Sequence, residues 1–144
     1  MSHLKAKILG TLRRRPVFLA GLATVSEDGS PWVRYVTGKI DDDLTIRIAT
    51  SLQSKKVTHV RSCPRVHLVC GDISPEGTGP FFQIEGEAEI STDPGEKKAM
   101  WFDSLAYYFQ TPESPDWCVF KVVPHRIVVH SPTSTEAEVW EPRR

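Results

Sequence analysis

Between Leu44 and Arg61 the chain reads LTIRIATSLQSKKVTHVR, and at its centre a hydroxyl residue and two cations, Ser54-Lys55-Lys56, stand where the sequence periodicity changes. Leu44, Ile46 and Ile48 alternate with Thr45, Arg47 and Ala49, the period-two pattern of a half-buried strand. The pattern breaks at Thr50-Ser51, and Val57 and Val60 then recur at helical spacing up to Cys63-Pro64. A strand that ends in a small-residue corner and opens a helix gathers what a phosphate needs: unpaired backbone N–H groups, the positive end of a helix dipole and lysine charge. Ser54 is placed to cap that helix. Taken alone, the same residues more often describe a solvated helix start, because serine caps and lysine faces are common.

Other reactive residue types are scattered. His59, His67, His125 and His130 show neither H-x-x-x-H nor H-E-x-x-H spacing, so no two imidazoles share a helical face as zinc ligands would. Cys63, Cys70 and Cys118 are odd in number and contain no C-x-x-C pair, which suits reduced core thiols and a cytoplasmic setting. Glu85, Glu87 and Glu89 alternate along one strand and share a solvated or interface face. The loop from Asp72 to Pro80 holds Gly77 and Gly79 but precedes a strand and lacks the P-loop pattern, so it reads as a connection or cleft rim. Arg34, on a strand, is by itself an ordinary solvent-facing or paired charge.

The elements that must position these residues are legible along the chain. Leu4, Ile8 and Leu12 mark a short amphipathic helix ended by Pro16. Val17–Val25 and Trp32–Ile40 flank Ser26-Glu27-Asp28-Gly29-Ser30 as a hairpin, and Asp41-Asp42-Asp43 turns into the strand of Leu44. After the Ser54–Ser62 helix come strands over Val66–Gly71 and Phe81–Ile90. Asp93-Pro94-Gly95 then opens a helix expected to run to about Phe109, with Ala99, Phe102, Ala106 and Phe109 at helical spacing. A final strand over Trp117–Val123 is expected to be interrupted at Pro124 and to resume over Arg126–His130.

With 144 residues and 40% apolar content, the chain makes one domain, 1–144. Eighteen basic residues balance eighteen acidic ones, which excludes recruitment to nucleic acid by bulk charge. No stretch approaches the roughly 18 apolar residues of a membrane span. Short strands joined by hairpins must hide their edges, so six or seven strands with short helices between them predict a mainly β fold, a closed or nearly closed antiparallel barrel.

The succession LATVSEDGSPWVRYV, LTIRIATSLQSKKVTHVRSCPRVHLVCGD and FFQIEGEAEI resembles the pyridoxamine 5′-phosphate oxidase-like, FMN-binding split-barrel family, particularly its short general-stress-protein members. The resemblance implies that Arg34, Tyr35, Val36 and Thr37 run beside a flavin, that Ala49, Thr50 and Ser51 meet its ribityl chain and phosphate, and that Ser54, Lys55 and Lys56 anchor the phosphate. Lys55-Lys56 replaces the family's frequent Arg-Lys pair, which keeps the attraction and loses a bidentate fork. Lys39 and the backbone of Val36 and Thr37 would face the flavin's pyrimidine edge. The resemblance also implies a homodimer with FMN at the interface and aromatic cover from among Trp101, Trp117 and Trp140. A small-molecule substrate or electron donor would bind there. The C-terminal STEAEVWEPRR lacks the family's Arg-x-His substrate pattern, which argues against pyridoxamine phosphate as substrate. A non-catalytic FMN module and a deazaflavin-binding relative are the alternatives within the family.

Overall fold

The computed structural model describes residues 3–143. Its strands are β1 Phe18–Val25, β2 Pro31–Ile40, β3 Ile46–Ser51, β4 Arg65–Gly71, β5 Phe81–Ser91, β6 Trp117–His130 and β7 Glu138–Trp140. They form one antiparallel sheet in the order β3-β2-β1-β4-β5-β6-β7, and β3 also pairs with β6. The first six strands therefore close into a barrel, and β7 adds to the outside of β6. Four short helices decorate it: α1 His3–Leu12, α2 Lys55–Ser62, α3 Pro94–Met100 and α4 Ala106–Phe109. None of these described helices is long and apolar enough to cross a membrane.

Alternation fills the barrel. Ile46 and Ile48 of β3, Val66, Leu68 and Cys70 of β4, Phe82 and Ile84 of β5, and Phe120, Val122, Ile127 and Val129 of β6 all point inward and are buried. The apolar stripe of α1, Leu4, Ile8 and Leu12, joins the same cluster. Burying one such side chain contributes about 2 kcal/mol, so closure of the barrel and docking of α1 are driven together. Burial also pushes the Cys70 thiol up to about 12, which leaves it protonated and inert.

Two sequence expectations are corrected, and one strand is added. Pro124 does not interrupt the last strand: β6 runs unbroken from Trp117 to His130, because a register shift at Glu85/Gly86 places Arg126 opposite Glu85 and Pro124 opposite Gly86. The bulge absorbs the missing N–H, and glycine is required there because a Cβ on Gly86 would stand 2.5 Å from the Val123 carbonyl oxygen. The helix from Asp93 does not reach Phe109. It starts as expected, with Asp93 accepting from the Glu96 N–H at 3.1 Å, but stops at Met100. Trp101 leaves the helix (φ −58°, ψ 138°), and a 3₁₀ turn over Asp103–Leu105 then leads into α4. The third difference is β7, which the polar C-terminal composition hid; its Trp140 packs on the main core.

Candidate functional site

The strands β2 and β3 pair only at Gly38↔Ile48, Lys39↔Arg47 and Ile40↔Ile46. Beyond Gly38 they diverge. β2 continues against β1 alone, and β3 continues to Ser51 against β6 alone. The gap in the barrel wall is thus flanked by Tyr35, Val36 and Thr37 on one side and by Ala49, Thr50 and Ser51 on the other. It opens a cleft of about 690 Å³. Ser54 and Lys56 line one part of it, while Val17, Leu19, Phe102, Leu105, Tyr108 and Phe109 make much of the remaining wall apolar and aromatic.

The cleft therefore brings together Tyr35, Val36, Thr37, Ala49, Thr50, Ser51, Ser54 and Lys56 from the expected set. Arg34 and Lys55 do not line it. Lys55 turns away and lays its ammonium over the Trp32 ring, 4.9 Å from the centroid. Arg34 folds back on the hairpin: its Nη1 donates to the Leu22 carbonyl at 3.3 Å, the Thr24 hydroxyl at 2.7 Å and the Trp32 carbonyl at 3.3 Å.

The first turn of α2 has an unusual inventory. Ser54 occupies the cap position in extended conformation, yet its side chain caps nothing, contrary to the sequence expectation. Its Oγ instead accepts from the Thr50 hydroxyl at 3.1 Å. The Lys55 and Lys56 N–H groups are among the donors that a helix start cannot satisfy internally. Two cations lie close by. Burial and the neighbouring Arg34 charge both lower the Lys56 pKa, and burial lowers that of Arg34. Among the described ion pairs, no carboxylate meets Arg34, Lys55 or Lys56. Two half-buried, like-charged groups beside open N–H donors form a site that an anion would complete.

Lys39 has a different task from the one expected. Its Nζ donates to the carbonyls of Ala99 at 3.1 Å and Trp101 at 2.9 Å, so it caps the C-terminus of α3 and does not line the cleft. This contact accompanies the break in the helix and helps set the path of the following segment. Phe102, Leu105, Tyr108 and Phe109 thereby reach the cleft wall. Sequence reasoning missed these four as lining residues because it placed them on a continuing helix.

The tryptophans expected to supply aromatic cover are not freely exposed. Trp117 is fully buried, with its ring stacked on Phe109 (centroids 5.5 Å apart) and tilted against Trp101, and with the Lys97 ammonium 4.8 Å from its centroid. Trp101 and Trp140 are partly buried. Of the described exposed large apolar and aromatic side chains, Leu19, Tyr35 and Tyr108 line the cleft, and Val33 and Tyr107 lie beside them on β2 and α4.

Comparison with known proteins matches residues 4–131 to the family model described as pyridoxamine 5′-phosphate oxidase. General stress protein 26 of Bacillus subtilis (strain 168) is 30% identical over 125 residues, covering 86% of each chain. The crystal structure of the general stress protein 26 from Bacillus anthracis (strain Sterne) superposes with a TM-score of 0.81 at 27% identity, over 98% of this chain and 100% of that one. A structure described as an F420 reductase shares the fold at a TM-score of 0.60 and 21% identity, over 83% of this chain and 94% of that one.

Proposed function

Since the chain belongs to the pyridoxamine 5′-phosphate oxidase family, we propose that its cleft binds FMN and that the protein is a cytoplasmic homodimeric flavoprotein, an oxidoreductase acting on a small molecule. One observation carries this reading: the unneutralised Lys56–Arg34 cation pair beside open α2 N–H groups, next to a cleft whose other walls are apolar and aromatic. That polarity gradient suits a ligand with a phosphate at one end and a planar ring system at the other. The cleft volume, about 690 Å³, falls within the ~300–1,000 Å³ typical of cofactor sites.

Bound FMN would supply two-electron exchange at its ring. The chain's own residues supply binding and environment. Lys56 and the α2 N–H groups would hold the phosphate; Thr50, Ser51 and Ser54 would offer hydroxyls along the connecting chain. The unpaired edges of β2 at Val36–Thr37 and of β3 at Ala49–Ser51 offer backbone donors and acceptors beside the ring. Val17, Leu19, Leu105 and Tyr108 would give it an apolar wall. Leu19, Val33 and Tyr35 are 63%, 74% and 79% exposed on the outer face of β1 and β2, an apolar patch that a second copy of the chain would cover.

The test begins with the purified protein's visible spectrum and the mass of any small molecule that copurifies, followed by titration with FMN. A flavin spectrum, or stoichiometric FMN uptake by a colourless preparation, supports the reading; a colourless protein that takes up no FMN overturns it. Titration with the deazaflavin cofactor F420 measures the family alternative directly. Rapid reduction of bound flavin by NADH or NADPH, followed by oxidation by a small-molecule acceptor, separates an enzyme from a module that only stores the cofactor.

A further inference from the structure

We propose that Thr24 and His59 are a positioning pair for the phosphate end of the cleft, holding the Arg34 guanidinium and the first turn of α2 in register without neutralising the charge they present. This rests on the FMN reading above and adds residues that touch no ligand.

The pair is buried and mutually committed. Thr24, on β1, is 0% exposed; His59, on α2, is 6% exposed; the Thr24 hydroxyl and His59 Nδ1 are 2.8 Å apart. The same hydroxyl accepts from Arg34 Nη1 at 2.7 Å. A threonine hydroxyl has one proton and two lone pairs. It can accept from Arg34 and still donate its proton to Nδ1 of the tautomer protonated at Nε2, and that donation strengthens its acceptance from Arg34. One buried oxygen thus ties β1, β2 and α2 together.

The chemistry of the acceptors matters most. A carboxylate would fix a guanidinium at least as firmly, but it would also cancel the charge and compete with an incoming phosphate. Here all the acceptors on Arg34 Nη1 are neutral: the Leu22 carbonyl, the Thr24 hydroxyl and the Trp32 carbonyl. Arg34 is oriented and remains a full positive charge, close enough to Lys56 to lower that lysine's pKa. His59 follows Lys55 and Lys56 by one helical turn, so fastening its ring also fixes where those two residues and their N–H groups stand. The Trp32 ring completes the fastening, 5.7 Å from the His59 ring and beneath the Lys55 ammonium.

A positioning role for phosphate differs from a general structural role in one readout, the preference for FMN over riboflavin, which lacks only the phosphate. Affinities of both ligands are measured by fluorescence titration on the wild type, Thr24→Val, Thr24→Ser and His59→Leu. Thr24→Val and His59→Leu should weaken FMN about tenfold, the loss of one hydrogen bond to a charged group, while riboflavin changes by less than about twofold. Thr24→Ser, which keeps the hydroxyl, should restore FMN binding. Equal weakening of both ligands, or an unchanged FMN affinity, would overturn the proposal. A wild type that binds neither ligand would instead overturn the cofactor reading, and this inference with it, whereas one that binds both equally would overturn this inference alone. Should the variants not fold, the imidazole nitrogen resonances of His59 in the wild type decide: they should shift on adding FMN and not on adding riboflavin, and equal or absent shifts overturn the proposal.

Discussion

Two clusters of positive charge flank β3, and they are built on opposite plans. Arg47, projecting from the middle of the strand, donates through Nε to Glu96 at 2.6 Å and through Nη1 to Asp41, with Lys121 3.9 Å from the same Glu96. Donating these hydrogen bonds to Glu96 and Asp41 raises its pKa, and accepting from Arg47 lowers that of Glu96. Past the end of the same strand, Lys56 lies near Arg34, has no carboxylate among its described partners, and has its pKa lowered. A cation surrounded by its own anions fastens the fold: here it ties β3 to α3. A cation left beside another cation is a cost to the fold that an anionic ligand would relieve.

That contrast can be broken from either side. Lys56→Ala should produce the largest change, weakening FMN binding about a hundredfold with riboflavin nearly unaffected, since it deletes a charge-assisted contact to the phosphate. Arg47→Met should do the reverse. Stranding Asp41 and Glu96 should cost about 2 kcal/mol, and the melting temperature should fall by about 6 °C, while the ratio of FMN to riboflavin affinity stays fixed. Lys39→Met should weaken FMN and riboflavin alike, by about fivefold, because it frees the Ala99 and Trp101 carbonyls that it caps and so loosens the aromatic wall instead of the phosphate end. Lys55→Ala should change FMN affinity by less than about twofold, because that ammonium rests on Trp32.

The two clusters should also respond to opposite ends of the pH scale. Glu96 is depressed in the fold, so its stabilising contribution is fully present above the unfolded glutamate value of about 4.3 and is lost as pH falls through its lower folded value. Acid denaturation of Arg47→Met should show less of this loss. Lys56 binds phosphate when protonated, so FMN affinity should decline as pH rises through a lysine pKa below the usual value of about 10.4, and Lys56→Ala should flatten that decline. Equilibrium titrations across the alkaline range read this directly.

The difference between what was and was not legible in the sequence follows the same division. The hairpin turn before β2, the alternation in β3 and the small-residue corner at Thr50-Ser51 are local signals, and they located the strands beside the cleft and the start of α2. The directions of Arg34 and Lys55 were not legible, because they are set by the Thr24 hydroxyl and the Trp32 ring, partners that sequence spacing does not reveal. The aromatic wall was missed for a related reason. Helical periodicity continues through Trp101 and Phe102, and the break there involves Lys39, sixty residues earlier in the chain and reaching across from β2. Trp117 looked like a candidate cover for a ring, yet it is buried under Phe109 and Trp101, since nothing in its immediate sequence reveals which strand face meets α3.

The most direct test of the account is a side-by-side titration of the flavin-free wild-type protein with FMN and riboflavin at neutral pH and low salt. The uncompensated cations near the α2 start predict that FMN binds at least about a hundredfold more tightly than riboflavin, with a gap that narrows as salt is added. Equal affinities for the two, or no binding of either, would contradict it.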